Sequence, residues 1–220
     1  MLTIAHFIEH AIHKPGLTAE EIRLHCAEAI RCGFVAVPLN PCWVALGTEV
    51  LSGSGILVGS AVGFPLGGTF PEVKALEALQ SADRGAEEID MVINVGALVS
   101  GDLATVERDI ACVRAAVPGL TLKVIIEACL LTDPQKVRAC LIAEAAGADY
   151  VKTSTGYSTG GATVHDVALM RRTVGDRLGV KAAGGIRDLA TVLALIDAGA
   201  TRIGTSSGVS IVEEARRAAP

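Results

Sequence analysis

Short runs rich in valine and isoleucine alternate along the chain with longer, alanine-rich segments in which apolar residues recur every three or four positions. The first pattern predicts β-strands and the second predicts amphipathic α-helices. A weak strand is predicted at 6–12, and seven clearer strands are predicted at 34–39, 56–62, 88–94, 122–127, 150–154, 180–183 and 202–205. Because strands that alternate with helices usually pair in parallel, the pattern indicates an α/β protein.

The spacing of these elements favours a closed barrel. Eight strands in 220 residues leave about 27 residues for each unit, which is roughly what one strand, one helix and two short loops consume. No linker, low-complexity tract or block of charge divides the chain. We therefore expect a single-domain (β/α)8 TIM barrel over residues 1–220. An open doubly wound sheet is the second choice, because no GxGxxG motif follows the first strand.

Capping residues support this order of elements. Helix starts are predicted at Thr18, at Asp133 and at Asp188, whose side chains could accept hydrogen bonds from the first free N–H groups of a helix. Helix ends that lead directly into a strand are predicted at three Gly-Ala-x tripeptides, which begin at Gly85, Gly147 and Gly199.

The composition excludes several classes of protein. Half of the residues are hydrophobic and 20% are charged, which excludes a disordered chain. The net charge is -5 and no basic run occurs, so a nucleic acid partner is not expected. The six cysteines form no CxxC pair, which predicts reduced thiols in a cytoplasmic protein.

No membrane segment is expected either. The N-terminus lacks the basic and apolar regions of a secretory signal. Residues 50–71 carry no charge, but six glycines and Pro65 interrupt them. This composition favours a buried strand between loops over a membrane helix.

Charged residues occur in four neighbouring predicted strands, where buried parallel strands are usually apolar. Alternation places the apolar side chains of each strand toward the helices and directs the charged ones into the barrel. The inward residues are Asp90, Lys123, Glu127, Lys152 and Lys181. They either form structural ion pairs in a polar layer or belong to an active site at the carboxyl ends of the strands. Four contributing strands favour the active site.

Two buried lysines and an aspartate allow a narrow range of chemistry. An amine must be neutral to attack a carbonyl group, and burial beside a second ammonium lowers its pKa. We expect Lys152 to be the nucleophile, Lys181 to lower the pKa of Lys152, and Asp90 to relay protons with Lys181. The protonated imine that Lys152 would form is an electron sink, so a carbon–carbon bond can break without a metal.

Glycine-rich loops follow the sixth, seventh and eighth predicted strands. Barrels often bind phosphate with the loops after strands 7 and 8, where backbone N–H groups at a helix N-terminus face the anion. The alternative is that these are ordinary turn and cap residues. The predicted substrate and phosphate-binding residues are Thr155, Gly156, Gly184, Gly185, Gly204, Ser206 and Ser207.

No metal and no cofactor are predicted. The spacing of His6, His10 and His13 could bring two imidazoles together, but no HExxH motif or carboxylate-bearing ligand set accompanies them.

Six segments of the chain resemble deoxyribose-phosphate aldolases, which are class I (Schiff-base) aldolases. The segments are VGFPLG at 62–67, EIDMVIN at 88–94, LKVIIE at 122–127, VKTSTG at 151–156, KAAGGIR at 181–187 and GTSS at 204–207. The resemblance implies reversible cleavage of 2-deoxy-D-ribose 5-phosphate into acetaldehyde and D-glyceraldehyde 3-phosphate, in carbohydrate degradation. It further implies an imine on Lys152, proton transfer by Lys181 and Asp90, and phosphate contacts at Gly185, Ser206 and Ser207.

Lys123 and Glu127 are expected to support these residues, and a homo-oligomer, either a dimer or a tetramer, is expected. The chain departs from the family pattern in its first two strands, and it ends at Pro220 without the terminal tyrosine that some members carry. Family members commonly carry Asp-His-Thr after the first strand, where this chain has Glu9, His10 and Ala11, and Pro38 replaces the usual cysteine.

Three alternative functions stay open at this point. They are a Schiff-base aldolase for another sugar phosphate, a metal-dependent aldolase, and a non-catalytic barrel that binds phosphate. Intact Asp90, Lys152 and Lys181 argue against the last of these, and the missing ligand set argues against the metal enzyme.

Overall fold

Eight parallel strands close into a barrel in the computed structural model, which describes residues 4–218. The strands are β1 (Ile8–His10), β2 (Ala36–Leu39), β3 (Leu57–Val62), β4 (Glu88–Val92), β5 (Thr121–Ile125), β6 (Tyr150–Lys152), β7 (Gly179–Ala183) and β8 (Arg202–Thr205). Each strand pairs with the next one in the chain, and β1 also pairs with β8. The predicted (β/α)8 barrel is confirmed, and the open sheet is wrong. Residues 1–3 and 219–220 of the predicted domain lie outside the described residues.

Helices separate the strands along the chain. Within residues 4–218 they are α1 (Ala19–Cys32), α2 (Val44–Leu51), α3 (Pro71–Ala82), α4 (Val95–Val99), α5 (Leu103–Ala116), α6 (Asp133–Ala145), α7 (Val164–Val174), α8 (Leu189–Asp197) and α9 (Gly208–Ala218). Short 3-10 helices occupy Ile4–Phe7, Pro41–Trp43 and Ala128–Leu130. No described helix is long and apolar enough to cross a membrane.

Two of the three predicted helix starts are confirmed. Thr18 forms a capping box with Glu21 at α1, and the side chain of Asp188 accepts a backbone hydrogen bond at the start of α8. The prediction at Asp133 is one residue too late, because Thr132 has the extended backbone that a cap requires and donates its N–H to Gln135 Oε1 at 2.9 Å.

Several predicted strands run past the observed carboxyl ends. The strand predicted at 88–94 ends at Val92, and the strand predicted at 122–127 ends at Ile125. Ile93 and Ile126 are nevertheless fully buried. The apolar pattern therefore continues past the hydrogen-bonded part of the strand, because the next residues are also buried. The sequence pattern alone does not show where the strand ends and the buried loop begins.

The alternation of the strands produces two different layers. Ile89, Met91, Leu122 and Val124 belong to the hydrophobic core that the strands share with the helices. The intervening positions of the same strands point into the barrel, as period-2 geometry requires. The barrel interior is where the charged side chains lie.

Candidate active site

Asp90 on β4 is the centre of a buried group of charges. Its Oδ2 atom lies 2.7 Å from Nζ of Lys152 and 2.6 Å from Nζ of Lys181, and its Oδ1 atom lies 3.1 Å from Nζ of Lys123. All four residues are 3% exposed or less. One carboxylate thus bridges lysines from β5, β6 and β7.

Three further charged residues complete this group. Glu9 on β1 contacts Lys181 and lies 3.5 Å from Lys123, and Glu88 on β4 accepts a 2.6 Å hydrogen bond from Lys123. Arg202 on β8 lies 3.7 Å from Glu9 and 3.5 Å from Glu88. The interior cluster, as we call it, consists of Glu9, Glu88, Asp90, Lys123, Lys152, Lys181 and Arg202.

The sequence predictions did not place Glu9, Glu88 or Arg202 inside the barrel, although Glu88 and Arg202 carried a signal. Glu88 shares the parity of Asp90 on the same strand, and Arg202 pairs in register with Lys181 on the next strand. Alternation therefore places both inward. Glu9 belongs to a strand of only three residues, which is too short for alternation to be read from the sequence.

The interior cluster has four basic and three acidic side chains, so loss of one proton balances its formal charge. Lys152 is the member whose pKa favours that loss. Burial lowers the pKa of Lys152 to about 8, with Asp90 opposing this shift and Lys181 assisting it. Burial also disfavours the charged form of Lys123, but Asp90, Glu9 and Glu88 outweigh it and raise its pKa.

The pKa of Asp90 moves in the opposite direction. Burial alone would raise it, but Lys123, Lys152 and Lys181 together hold the pKa of this carboxyl well below its usual range. Asp90 is therefore an anion at neutral pH, and it becomes a better proton acceptor when one of the neighbouring lysines loses its positive charge.

Lys152 also lies on the wall of a cavity of about 250 Å³ at the carboxyl ends of the strands. The other two lysines of the interior cluster do not line this cavity in the described part of the chain. Every predicted substrate or phosphate residue lines it, namely Thr155, Gly156, Gly184, Gly185, Gly204, Ser206 and Ser207. The predicted nucleophile and the glycine-rich loops therefore line the same cavity.

The glycine loops pack backbone against backbone beside the cavity. Gly184 has φ 89°, and a Cβ atom there would lie 3.1 Å from Cα of Gly161 and 3.3 Å from Cα of Gly156. A Cβ atom at Gly161 would lie 2.2 Å from the Gly184 carbonyl oxygen. Side chains are excluded at this point, which leaves backbone groups to face a ligand.

Helix α9 begins next to these loops. Ser206 and Ser207 immediately precede it and line the cavity, and the Ser207 N–H donates to Thr205 Oγ1 at 2.9 Å. The positive end of an eleven-residue helix therefore faces the cavity wall, an arrangement that favours an anionic group.

The predicted placement of Glu127 beside the lysines is wrong. The strand ends at Ile125, and Glu127 has a left-handed backbone with φ 53°. Its carboxylate accepts hydrogen bonds from the Thr155 hydroxyl at 2.5 Å and from the Thr155 N–H at 3.2 Å. Glu127 thus fixes the loop after β6 and is not a member of the interior cluster.

The positions that depart from the family pattern lie in or near the site. Glu9 belongs to the interior cluster, and Ala11 lines the cavity. Pro38 lies within β2, where its carbonyl oxygen accepts a 3.3 Å hydrogen bond from the Ile12 N–H.

Metal-ligating side chains gather at two places in residues 4–218. One group is His10, His25 and Glu28, and the other is Asp133, His165 and Asp166. None of these six side chains lines the cavity. In the first group the two imidazole rings stack with their centroids 3.7 Å apart, and Nε2 of His10 lies 3.1 Å from Oε2 of Glu28.

Comparison with known proteins identifies the family. The family model described as "DeoC/LacD family aldolase" matches residues 5–214. The chain belongs to this family. Members of the DeoC/LacD family that resemble this chain include proteins named deoxyribose-phosphate aldolase from Brevibacillus brevis (56% identity, covering 96% of this chain and 95% of that protein) and Geobacillus sp. (57%, 96% and 95%).

Solved structures of aldolases also match this member of the DeoC/LacD family. "QR15, an Aldolase" superimposes with a TM-score of 0.94 at 37% identity, covering 99% of this chain and 97% of that one. The structure titled "Unique tetrameric structure of deoxyribose phosphate aldolase from Aeropyrum pernix" gives 0.90 at 34% identity, covering 97% and 91%. The resemblance and the lyase activity predicted from the sequence are confirmed at the level of the family.

Proposed function

We propose that this chain reversibly cleaves 2-deoxy-D-ribose 5-phosphate into acetaldehyde and D-glyceraldehyde 3-phosphate through an imine on Lys152. One observation carries the proposal. Among the described residues of the interior cluster, Lys152 is the lysine that lines the cavity, and burial lowers its pKa. The names of the relatives supply the substrate.

The first step requires a neutral amine. With a pKa of about 8, roughly one Lys152 in ten is neutral at pH 7, compared with about one in 2500 for a free lysine. Neutral Nζ attacks carbon 1 of the open-chain sugar phosphate, and the carbinolamine then loses water to give a protonated imine.

The second step breaks the bond between carbons 2 and 3. The carbon 3 hydroxyl gives up its proton, and the electrons of the broken bond move into the protonated imine. D-Glyceraldehyde 3-phosphate is released, and an enamine remains on Lys152. Protonation of the enamine and hydrolysis by water release acetaldehyde and restore the amine. Asp90 and Lys181 move these protons, because Oδ2 of Asp90 contacts the Nζ atoms of both Lys152 and Lys181.

The remaining residues hold the substrate and the catalytic groups in place. The phosphate binds to the backbone of the loops after β7 and β8 and to Ser206 and Ser207 at the start of α9. Lys123 supports Asp90 from the side opposite the cavity entrance, since it contacts Asp90 and Glu88 but does not line the cavity. Glu127 positions Thr155, which lines the cavity.

We further propose a cytoplasmic homo-oligomer, a dimer or a tetramer. All six cysteines are free, which agrees with a reducing compartment. Leu66, Phe70, Val73 and Leu76 form an exposed apolar surface around the start of α3, which supports burial against a second copy. Sedimentation velocity measures the oligomer, and a monomer at micromolar concentration would contradict it.

Borohydride trapping tests the proposed nucleophile. Incubation with acetaldehyde and sodium borohydride is expected to leave an N-ethyl group on Lys152, located by peptide mass mapping. The Lys152→Met variant is expected to remain unlabelled, whereas Lys181→Met retains the nucleophile and serves as the control. An adduct on another lysine of the wild-type protein, or none, contradicts the assignment. Turnover with acetaldehyde but not with dihydroxyacetone phosphate as donor separates this function from that of other Schiff-base aldolases.

A further inference from the structure

His13 lies on the wall of the cavity that contains Lys152. It follows β1, and backbone hydrogen bonds fix the two residues before it. The Ala11 N–H donates to the Thr205 carbonyl oxygen at 3.0 Å, and the Ile12 N–H donates to the Pro38 carbonyl oxygen at 3.3 Å. The backbone that leads to His13 is therefore tied to β8 and β2.

The imidazole ring is held on two sides. Its Nδ1 lies 3.2 Å from Oδ1 of Asn40, whose side chain makes no capping bond to the following 3-10 helix. The ring of Phe64 packs against it at 4.7 Å between centroids, and Tyr157 contacts Phe64 edge-on at 5.4 Å. The ring orientation is thus determined before any ligand enters.

These contacts also determine which nitrogen carries the proton. Because Oδ1 of Asn40 is an acceptor, Nδ1 of His13 donates, and Nε2 is left with a lone pair. Nε2 is shielded from solvent and has no hydrogen-bond partner within residues 4–218. Because the residue lines the cavity, a ligand that brings a donor would satisfy this buried acceptor.

Only one type of group on a sugar phosphate fits this acceptor. At neutral pH the phosphate is mainly the dianion and the carbonyl oxygen carries no proton, so the hydroxyl groups are the donors. We propose that Nε2 of His13 accepts a hydrogen bond from the carbon 4 hydroxyl of the sugar phosphate, so that His13 selects aldehydes that carry a hydroxyl group next to the carbonyl. This inference rests on the proposed function.

The choice of carbon 4 over carbon 3 follows from the chemistry of the two hydroxyls. The carbon 3 hydroxyl loses its proton during cleavage and needs a base. Burial and the neighbouring Lys152 lower the pKa of His13 to about 3, which makes its imidazole a poor base but leaves it a neutral acceptor. The carbon 4 hydroxyl keeps its proton throughout and matches that role.

The test measures kcat/KM in the direction of synthesis, with acetaldehyde and two acceptors. D-Glyceraldehyde 3-phosphate carries the hydroxyl, and 3-oxopropyl phosphate lacks it. Three variants are compared with the wild type. His13→Asn keeps a donor near Asn40 but removes Nε2, His13→Gln places an amide near the position of Nε2, and His13→Leu removes both nitrogens.

We expect His13→Asn and His13→Leu to lower kcat/KM about tenfold or more for D-glyceraldehyde 3-phosphate and less than threefold for 3-oxopropyl phosphate. His13→Gln is expected to recover most of the preference. Equal losses on both acceptors would assign His13 a structural role and overturn the inference, as would an unchanged preference. If the wild type makes no product with either acceptor, the proposed function fails, and the hydroxyl contact fails with it.

Discussion

Two buried groups of lysines and carboxylates in this barrel behave differently. Between the helices α3 and α5, Nζ of Lys74 lies 2.6 Å from Oδ2 of Asp109 and 2.8 Å from the Val92 carbonyl oxygen, and no exposed surface reaches it. Inside the barrel, the interior cluster has one more basic group than acidic groups, and Lys152 opens to a cavity. The charges of the Lys74–Asp109 pair cancel and the pair is sealed from solvent. The interior cluster has a net positive charge, and its Lys152 is accessible from the cavity.

The comparison teaches that burial of a lysine does not by itself indicate chemistry. The pKa of Lys74 is also lowered by burial, but its single carboxylate partner also accepts the Asn94 N–H at 2.9 Å and anchors the end of β4. A structural role explains all of these contacts. At Lys152 the lowered pKa occurs together with an excess of positive charge in the cluster and an adjoining cavity, and a structural role does not account for the last two.

The largest effect is expected from Lys152→Met. This variant removes the nucleophile, so kcat is expected to fall by at least about 10⁴-fold. Asp90 keeps two lysine partners, and the barrel stays folded by circular dichroism. Steady-state cleavage assays measure the loss, and a variant that keeps more than a hundredth of the wild-type kcat would contradict the role of Lys152.

Lys74→Met tests the other side of the comparison. Removal of one partner leaves Asp109 buried and unpaired, so the free energy of unfolding is expected to fall by about 3–5 kcal/mol. Guanidinium denaturation measures this change. The double variant Lys74→Met/Asp109→Leu is the control and is expected to recover part of the loss. The folded fraction of each variant is expected to keep the wild-type kcat. A loss of kcat in the folded protein would instead place this pair in the catalytic machinery.

Lys181→Met is expected to lower kcat by roughly 10²-fold or more, since a proton-transfer group is lost. It is also expected to raise the pKa of Lys152, because Lys181 lowers that pKa in the wild type. The rate of borohydride trapping as a function of pH reports the shift. A trapping profile that moves to lower pH would show that Lys181 acts in the opposite direction.

The pH dependence of the wild type is the mildest test. The neutral form of Lys152 is the reactive form, so kcat/KM is expected to rise about tenfold per unit below pH 8 and to level off above it. Enzyme that is preincubated at each pH and assayed at pH 8 controls for unfolding. A profile that is flat from pH 6 to pH 9 would sink this expectation.

Much of the fold and part of the site could be predicted from the sequence, because period-2 alternation is a local property. Alternation places Asp90, Lys123, Lys152 and Lys181 on the inner face of their strands. The contacts of the three lysines with Asp90 then follow from the closure of the barrel. The same rule would have placed Glu88 inward.

The remaining features depend on contacts between distant segments. Glu127 follows alternation only while the chain stays extended, and its left-handed backbone ends that pattern. Lys74 and Asp109 lie on two different helices and are 35 positions apart in the sequence. Neither position is unusual for a charged helix residue. The free nitrogen of His13 is defined by Asn40, which lies 27 positions away.

The most direct test of the central claim is a titration of Lys152 itself. In protein labelled with ¹³C at the lysine ε-carbons, we expect one resonance to titrate near pH 8 and to disappear in Lys152→Met. If the Lys152 resonance instead stays that of an ammonium up to pH 10, the amine is not activated by its surroundings and the account of the site is contradicted.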